Sequence, residues 1–169
     1  MIVDNTKQLD NLKGKSVFLY PILKDDRLHK HRSPIIGFVI IDIETKQSYT
    51  ISNGHPEGLF NTSNITFLQD CKVYCYDTMA FKYNGYDTHA FIDAKMQYYL
   101  YTNQGYEIET LNILSHYTRL YQNCHKLNEL VPLYKHEEIA EQIFSEIYVR
   151  EEQPGLQFYQ SELLNVFYN

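Results

Sequence analysis

The order of apolar and polar positions divides the chain into a strand-rich first half and a helical second half. Strands are predicted where β-branched and aromatic residues run together or alternate with polar ones. These segments are "SVFLYPIL" (16–23), "PIIGFVIIDI" (34–43), "QSYTIS" (47–52) and "KVYCYD" (72–77). The near-continuous apolar run at 34–43 indicates a strand covered on both faces. The short "ETK" after it predicts a hairpin to the next strand. A polar lead-in of about fifteen residues comes before the first strand, and residues 59–70 predict a short helix or an irregular crossover.

From residue 78 onward the apolar positions recur at helical spacing. "TMAFKYNG" predicts a short helix that Gly85 closes. Residues 89–102 place Phe91, Ala94, Tyr98 and Tyr101 on one helical face. Further helical patterns cover 106–121 and 128–153, the second with Leu133, Ile139, Ile143 and Ile147 as its apolar positions. Pro154 ends that pattern and suits the first turn of another helix.

Strands followed by helices predict an α/β fold with a central mixed sheet flanked by helices and a helical C-terminal half. Three sequential strands, a crossover, a fourth strand and then helices is the opening order of the ribonuclease H-like fold. With 169 residues, 44% of them apolar, and only seven Gly and five Pro, the chain is expected to form one core. We assign 1–153 to this domain and 154–169 to a helix that leads out of it.

Charge and cysteine content narrow the function classes. The net charge of −6 disfavours nonspecific nucleic-acid binding as the main activity. One local positive cluster remains as a candidate nucleic-acid contact, in the loop of Lys24, Arg27, Lys30 and Arg32. No apolar run approaches the roughly 18 residues of a membrane span. Three cysteines without metal-ligand spacing favour reduced thiols, so a cytoplasmic protein is expected.

The segment "DIET" at Asp42–Thr45 follows an apolar strand, as the first two metal-binding carboxylates do in many 3′–5′ exonucleases of the DEDD type. Residues i and i+2 of a strand leave the same face, so Asp42 and Glu44 could share a metal site. Such carboxylates belong on the first, central strand. If 16–23 is the first strand, "DIET" ends the second one and becomes the shoulder of a hairpin. Both interpretations stay open at the level of sequence.

Five segments resemble, in this order, the 3′–5′ exonuclease domain of family A (DNA polymerase I type) DNA polymerases. They are "SPIIGFVIIDIETKQSYTIS", "KVYCYDTMAFKYNG", "AFIDAKMQYYLY", "LYKHEEIAEQIF" and "EEQPGLQFYQSELLNVFY". The resemblance covers about 150 residues. It implies that the chain is one domain of a longer polymerase or the companion of a polymerase module in DNA replication.

The resemblance also implies a loss of catalysis. The family's first-strand acids fall near Pro21 and Leu23, and its Asn-x-x-x-Asp stretch falls on Asp77 and Phe81. Its Tyr-x-x-x-Asp pattern falls on Tyr134 and Glu138. One matching acid of four cannot hold two divalent ions, so we expect a monomeric, catalytically inactive structural domain without a cofactor, with DNA contact possible.

Two alternatives remain. The first is an active two-metal nuclease that uses Asp42, Glu44, Asp77 and Glu138 with Mg²⁺ or Mn²⁺. The second is a free-standing interaction module on the same fold.

Overall fold

The computed structural model describes residues 1–3, 6–24, 33–55, 58, 62–102 and 131–147. Several sequence predictions lie outside the described residues. These are the helices over 106–121 and 154–168, the domain boundary after residue 153, and the positions of Arg27, Lys30 and Arg32.

The described part of the chain forms an α/β structure around a six-stranded mixed sheet. The strands are β1 (Ile2–Val3), β2 (Ser16–Leu23), β3 (Ile35–Asp42), β4 (Ser48–Ser52), β5 (Lys72–Cys75) and β6 (Ile92–Asp93). The α-helices are α1 (Thr78–Tyr83), α2 (Ala94–Thr102) and α3 (Leu133–Ile147), and 3₁₀ turns cover Thr6–Leu12 and Thr62–Asp70. The predicted α/β class, with helices on a mixed sheet, is confirmed.

The sheet order is β1-β4-β3-β2-β5-β6. β2, β3 and β4 are antiparallel neighbours, whereas β5 runs parallel to β2 and β6 parallel to β5. The register pairs Val17 with Asp42 across β2 and β3, and Leu19 with Cys75 across β2 and β5. β2 therefore occupies the middle of the sheet. Pro21, a residue that favours an edge strand or a bulge, marks no edge here, and the register of β2 with β3 shifts between Ile22 and Leu23.

Side chains alternate between two cores on the two faces of the sheet because successive strand residues point in opposite directions. Phe18, Tyr20 and Ile22 of β2 face α3, and the ring of Phe18 lies 5.2 Å from that of Phe144 on this helix. Val17 and Leu19 face the other core, which contains residues of both 3₁₀ segments and α1. In this way α3 covers one face of the sheet, and the 3₁₀ segments and α1 cover the other.

One sequence prediction was wrong in detail. Phe91 does not belong to the helical face of α2, because Ile92 and Asp93 first pair with β5 as a strand and Phe91 packs in the opposite core, 5.9 Å from the ring of Phe81.

The polar lead-in contains 3₁₀ turns that the sequence pattern did not predict. Its residues Leu9 and Leu12 are buried, because their 3₁₀ turns cover the sheet.

The described helices contain no segment both long and apolar enough to cross a lipid bilayer.

Candidate functional site

The carboxyl ends of β2 and β5 form the place in this sheet where a ligand site is most expected. The chain leaves β2 toward β3 on one side of the sheet and leaves β5 toward β6 on the other. Open α/β sheets bind ligands in the crevice outside the carboxyl ends of two such strands, where the connections diverge. We call this place the switch point.

Two tyrosines and a lysine occupy the α3 side of the switch point. The rings of Tyr20 on β2 and Tyr76 after β5 lie 5.3 Å apart. The Nζ atom of Lys95 lies 4.4 Å from the centre of the Tyr76 ring, a cation–π contact. All three residues are buried, with exposed fractions of 9%, 3% and 9%. A positive charge and two phenol rings therefore occupy the α3 side of the switch point.

Local structure explains how these side chains arrive there. The amide of Tyr76 donates to the carbonyl of Leu19 at 2.8 Å, which extends the pairing of β2 with β5 and sets Tyr76 beside Tyr20. Oδ1 of Asp93 accepts a hydrogen bond from the amide of Met96 at 2.7 Å and so caps the start of α2. Lys95 lies in this capped first turn, directly beyond the end of β6.

The two acids near the switch point have capping roles. Asp77, which is 4% exposed, accepts a hydrogen bond from the amide of Ala80 at 3.2 Å and begins α1. Asp93 is fully buried and caps α2 in the same way. Burial, followed by the charges of Asp93 and Asp77, raises the pKa of the Cys75 thiol well above its usual range. Cys75 is therefore a neutral core thiol and not a nucleophile.

Asp42 lies in the hairpin between β3 and β4 and not at the switch point. Its carboxylate, 3% exposed, accepts hydrogen bonds from the Lys15 ammonium at 3.1 Å and from the amide of Glu44 at 3.0 Å. The amide of Lys46 donates to the Asp42 carbonyl at 2.7 Å, and Lys46 has a positive φ of 62°, as the tight turn requires. The "DIET" segment is thus the shoulder of a hairpin.

The pKa of Asp42 reflects this environment. Burial on its own raises the pKa of the carboxyl group. The hydrogen bonds from Lys15 and from the amides of Glu44 and Thr45, together with the Lys15 charge, outweigh burial and hold the pKa below its ordinary value. The same contact raises the pKa of Lys15. Asp42 is therefore ionised at neutral pH, with its charge directed at the turn.

The structure does not bring the four candidate nuclease acids together. Asp42 lies opposite Val17 of β2, whereas Asp77 follows Tyr76, which lies beside Tyr20 three residues further along the same strand. At about 3.3 Å per residue, this separates Asp42 and Asp77 by about 10 Å or more along the strands. Glu44 is exposed in the turn, and Glu138 is exposed on α3, where it pairs with Lys135 at 2.8 Å. Within the described ranges, no three His, Cys, Asp or Glu side chains are placed to hold a metal ion.

Of the predicted basic cluster, Lys24 is described. It follows the last residue of β2, and its amide donates to the Pro34 carbonyl at 2.9 Å. Lys24 therefore lies four residues beyond Tyr20, about 13 Å further along the strand direction at about 3.3 Å per residue.

A cavity of about 360 Å³ opens on the other face of the sheet, between the 3₁₀ turns of Thr62–Asp70 and residues 85–91. Cys71 lines it, but its Sγ donates to the carbonyl of Leu12 at 3.1 Å, and burial raises the pKa of this thiol. Both apolar and polar side chains line the cavity, among them Phe91, Gln69 and Asp87, and Cys71 is not an activated nucleophile there.

The sequence did not single out Tyr20, Tyr76 and Lys95 as candidate site residues. The strand count assigned "YPIL" to the first strand, and alternation from Phe18 would have put Tyr20 and Ile22 on one face. Leu23, one of the positions indicated by the family resemblance, packs in the opposite core. For Lys95 the sequence carries no signal, because its burial depends on how α2 leaves β6.

No protein-family model, curated protein or solved structure matches this chain.

Proposed function

We propose that the chain is a ribonuclease H-like domain of the exonuclease type found with family A DNA polymerases, and that it serves DNA replication as a platform that does not cleave nucleic acid. One observation carries the proposal: Tyr20, Tyr76 and Lys95 fill the switch point, where cleavage would require carboxylates. The order of the elements supports the fold. Three strands in sequence, a crossover, a fourth strand parallel to the first, and helices agree with the ribonuclease H-like order.

Electrostatics argue against metal-dependent cleavage at this position. A two-metal mechanism needs ions about 4 Å apart, held by several carboxylates, to activate water and stabilise the leaving oxygen. A divalent ion about 4 Å from an ammonium group is disfavoured by about 8 kcal/mol at an effective dielectric constant near 20. Asp77 and Asp93 are the acids nearest in sequence to Tyr76 and Lys95. Each accepts a hydrogen bond from a backbone amide in the first turn of a helix. The Lys95 ammonium therefore occupies the place where a metal site would need carboxylate ligands.

A platform role requires a partner, and the proposal names the polymerase module of the same or a companion chain. The domain contributes a rigid α/β body whose central strand is covered on both faces. The net charge of −6 favours contact with a protein partner over an extensive contact with the phosphate backbone of DNA.

The test is a nuclease assay on 5′-labelled single-stranded DNA with Mg²⁺ or Mn²⁺. We expect the wild-type chain and the Asp77→Asn and Asp42→Asn variants to leave the substrate intact, while a known exonuclease in the same buffer degrades it. Stepwise shortening by the wild type that Asp77→Asn abolishes would refute the inactive assignment. The platform role is tested separately by sedimentation of the chain with the family A polymerase module encoded alongside it, and failure to co-sediment would count against that role.

A further inference from the structure

The cavity of about 360 Å³ on the face of the sheet opposite α3 has the size of a small site for an organic molecule. Its buried lining is apolar and includes Val73 on β5 with Ile65 and Leu68 of the 3₁₀ turns. The exposed part of its lining is largely polar and includes Thr66, Gln69, Asp87 and His89. An occupant with an apolar body and one polar end would match this division.

Two aromatic rings in the lining are held in fixed positions. The rings of Tyr86 and Phe91 both pack edge-on against the ring of Phe81 on α1, at 5.3 Å and 5.9 Å between ring centres. Phe81 is fully buried, so its contacts set the two rings before any ligand arrives. Such rings attract other aromatic rings and cationic groups.

The charge of the lining is negative. Asp87 is the only described lining residue with a formal charge at neutral pH. Its Oδ1 accepts a hydrogen bond from the amide of His89 at 3.1 Å, which holds the carboxylate in the turn beside the cavity. Burial, followed by the charge of Asp70, raises the pKa of the Cys71 thiol in the same lining, so a second acid acts on this region. The local charge therefore complements a cation.

We propose that this cavity binds a small organic cation, an ammonium group carried on an aromatic body. The body would lie on the apolar lining beside the rings of Tyr86 and Phe91, and the ammonium group beside Asp87. One carboxylate in the described lining suits a single positive charge, which favours a monoamine over a polyamine. The cavity lies on the opposite face of the sheet from Tyr20 and Tyr76, so this inference goes beyond the platform role and does not depend on it.

The test compares three probes that share a phenyl body and differ in charge: 2-phenylethylamine, 2-phenylethanol and phenylacetate. Binding is followed by the amide shifts of the ¹⁵N-labelled chain at pH 7 and constant ionic strength. The variants are Asp87→Asn, which removes the charge and keeps an acceptor for the His89 amide, and Asp10→Asn as the matched control. Asp10 is also exposed but does not line the cavity.

We expect saturable shifts at amides of the lining, among them those of Gln69, Asp87 and Phe91, with a Kd of about 1 mM for the amine. The alcohol should bind about three- to fivefold more weakly, because an exposed carboxylate contributes modestly, and phenylacetate should bind more weakly still. Asp87→Asn should weaken amine binding to the level of the alcohol, whereas Asp10→Asn should leave it within about 1.5-fold of the wild type.

Cys71 gives an independent measure of occupancy. Because this half-buried thiol lines the cavity, the amine at about four times its Kd should slow the reaction of Cys71 with methyl methanethiosulfonate about fivefold. Trypsin cleaves after Lys72 and so separates Cys71 from Cys75 for mass spectrometry.

The proposal would be overturned by the absence of saturable shifts at these amides, or by a Kd of the amine no lower than that of the alcohol. Equal effects of Asp87→Asn and Asp10→Asn, or unchanged labelling of Cys71 in the presence of the amine, would also overturn it. Circular dichroism checks that Asp87→Asn is folded, and if it is not, the comparison of the three probes on the wild type decides. These results leave the nuclease assay and the co-sedimentation unaffected, so the two proposals fail separately.

Discussion

Replacing Asp42 with alanine tests whether "DIET" is a structural turn or a metal site. In the structure the carboxylate is almost buried and accepts three hydrogen bonds, from Lys15 Nζ at 3.1 Å and from the amides of Glu44 at 3.0 Å and Thr45 at 3.5 Å. A hydrogen bond to a charged group contributes about 1.5–3 kcal/mol net. The Thr45 contact is at the limit of hydrogen bonding, and the Lys15 ammonium is one-third exposed, so solvent screens it. The Glu44 amide therefore dominates.

We expect Asp42→Ala to lower the free energy of unfolding by about 2 kcal/mol. Asp42→Asn keeps an acceptor for the amides and should cost about 1 kcal/mol. Glu44→Gln is the control, because Glu44 is exposed and should stay within about 0.5 kcal/mol of the wild type. Urea denaturation followed by circular dichroism at pH 7 measures all three.

The pH dependence of Asp42 has a definite sign. Its pKa is lower in the folded chain than the ordinary value of 3.8, so the unfolded chain binds the proton more tightly. The contribution of Asp42 is complete at pH values above 3.8 and is lost as the pH falls through the lowered folded pKa. The stability difference between the wild type and Asp42→Asn should consequently shrink in acid.

Three results would refute this assignment of Asp42. The first is an Asp42→Ala effect below about 0.5 kcal/mol, and the second is an equal effect of Glu44→Gln. The third is stabilisation of the wild type by Mg²⁺ or Mn²⁺ that disappears in both variants, since only a metal site would couple these residues in that way.

Further predictions concern the core. Gly37→Ala should destabilise the chain by about 1–3 kcal/mol in urea denaturation, because the added Cβ would meet the carbonyl oxygen of Ile51 at 3.0 Å; an effect near zero would mean that β3 and β4 can separate freely. Ile143→Ala on α3 should cost about 2–5 kcal/mol, since this side chain is 1% exposed, and a smaller loss in the same assay would show that α3 is not firmly packed on the sheet. Cys75 should resist iodoacetamide until the chain unfolds, because it is fully buried with a raised thiol pKa, and rapid labelling in native buffer, read by mass spectrometry, would contradict its position.

The four longer strands and their order along the chain were predictable from the sequence. Each is marked by a pattern of apolar and β-branched residues within the strand itself. The run at 34–43 is apolar enough to need cover on both faces, and β3 occupies 35–42 of it. Gly85, expected to close α1, follows the C-cap Asn84 with a positive φ of 87°. The short edge strands β1 and β6 were not predictable. Each has two residues, and their pairing with β4 and β5 depends on distant parts of the chain.

The candidate site also combines features that the sequence predicted with features that it did not. The sequence has no acid in "YPIL", but it did not show that Tyr76 packs beside Tyr20 or that Lys95 contacts the Tyr76 ring. Tyr76 lay in a predicted strand and Lys95 in a predicted helix, and neither pattern connects them. Their contact requires parallel pairing of β5 with β6 and the Asp93 cap that starts α2 directly afterwards.

By itself the sequence determined the α/β class, the existence of strands within 16–23 and 34–43, and the location of "DIET" at the end of the second of them. Periodicity and turn residues act over a few neighbours, and they suffice for these features. Only the tertiary structure decided that Asp42 serves a hairpin with Lys15, that Asp77 and Asp93 cap helices, and that Lys95 lies over Tyr76 at the switch point. Those outcomes depend on contacts between residues far apart in the chain, or on how one element turns into the next, and local spacing does not encode either.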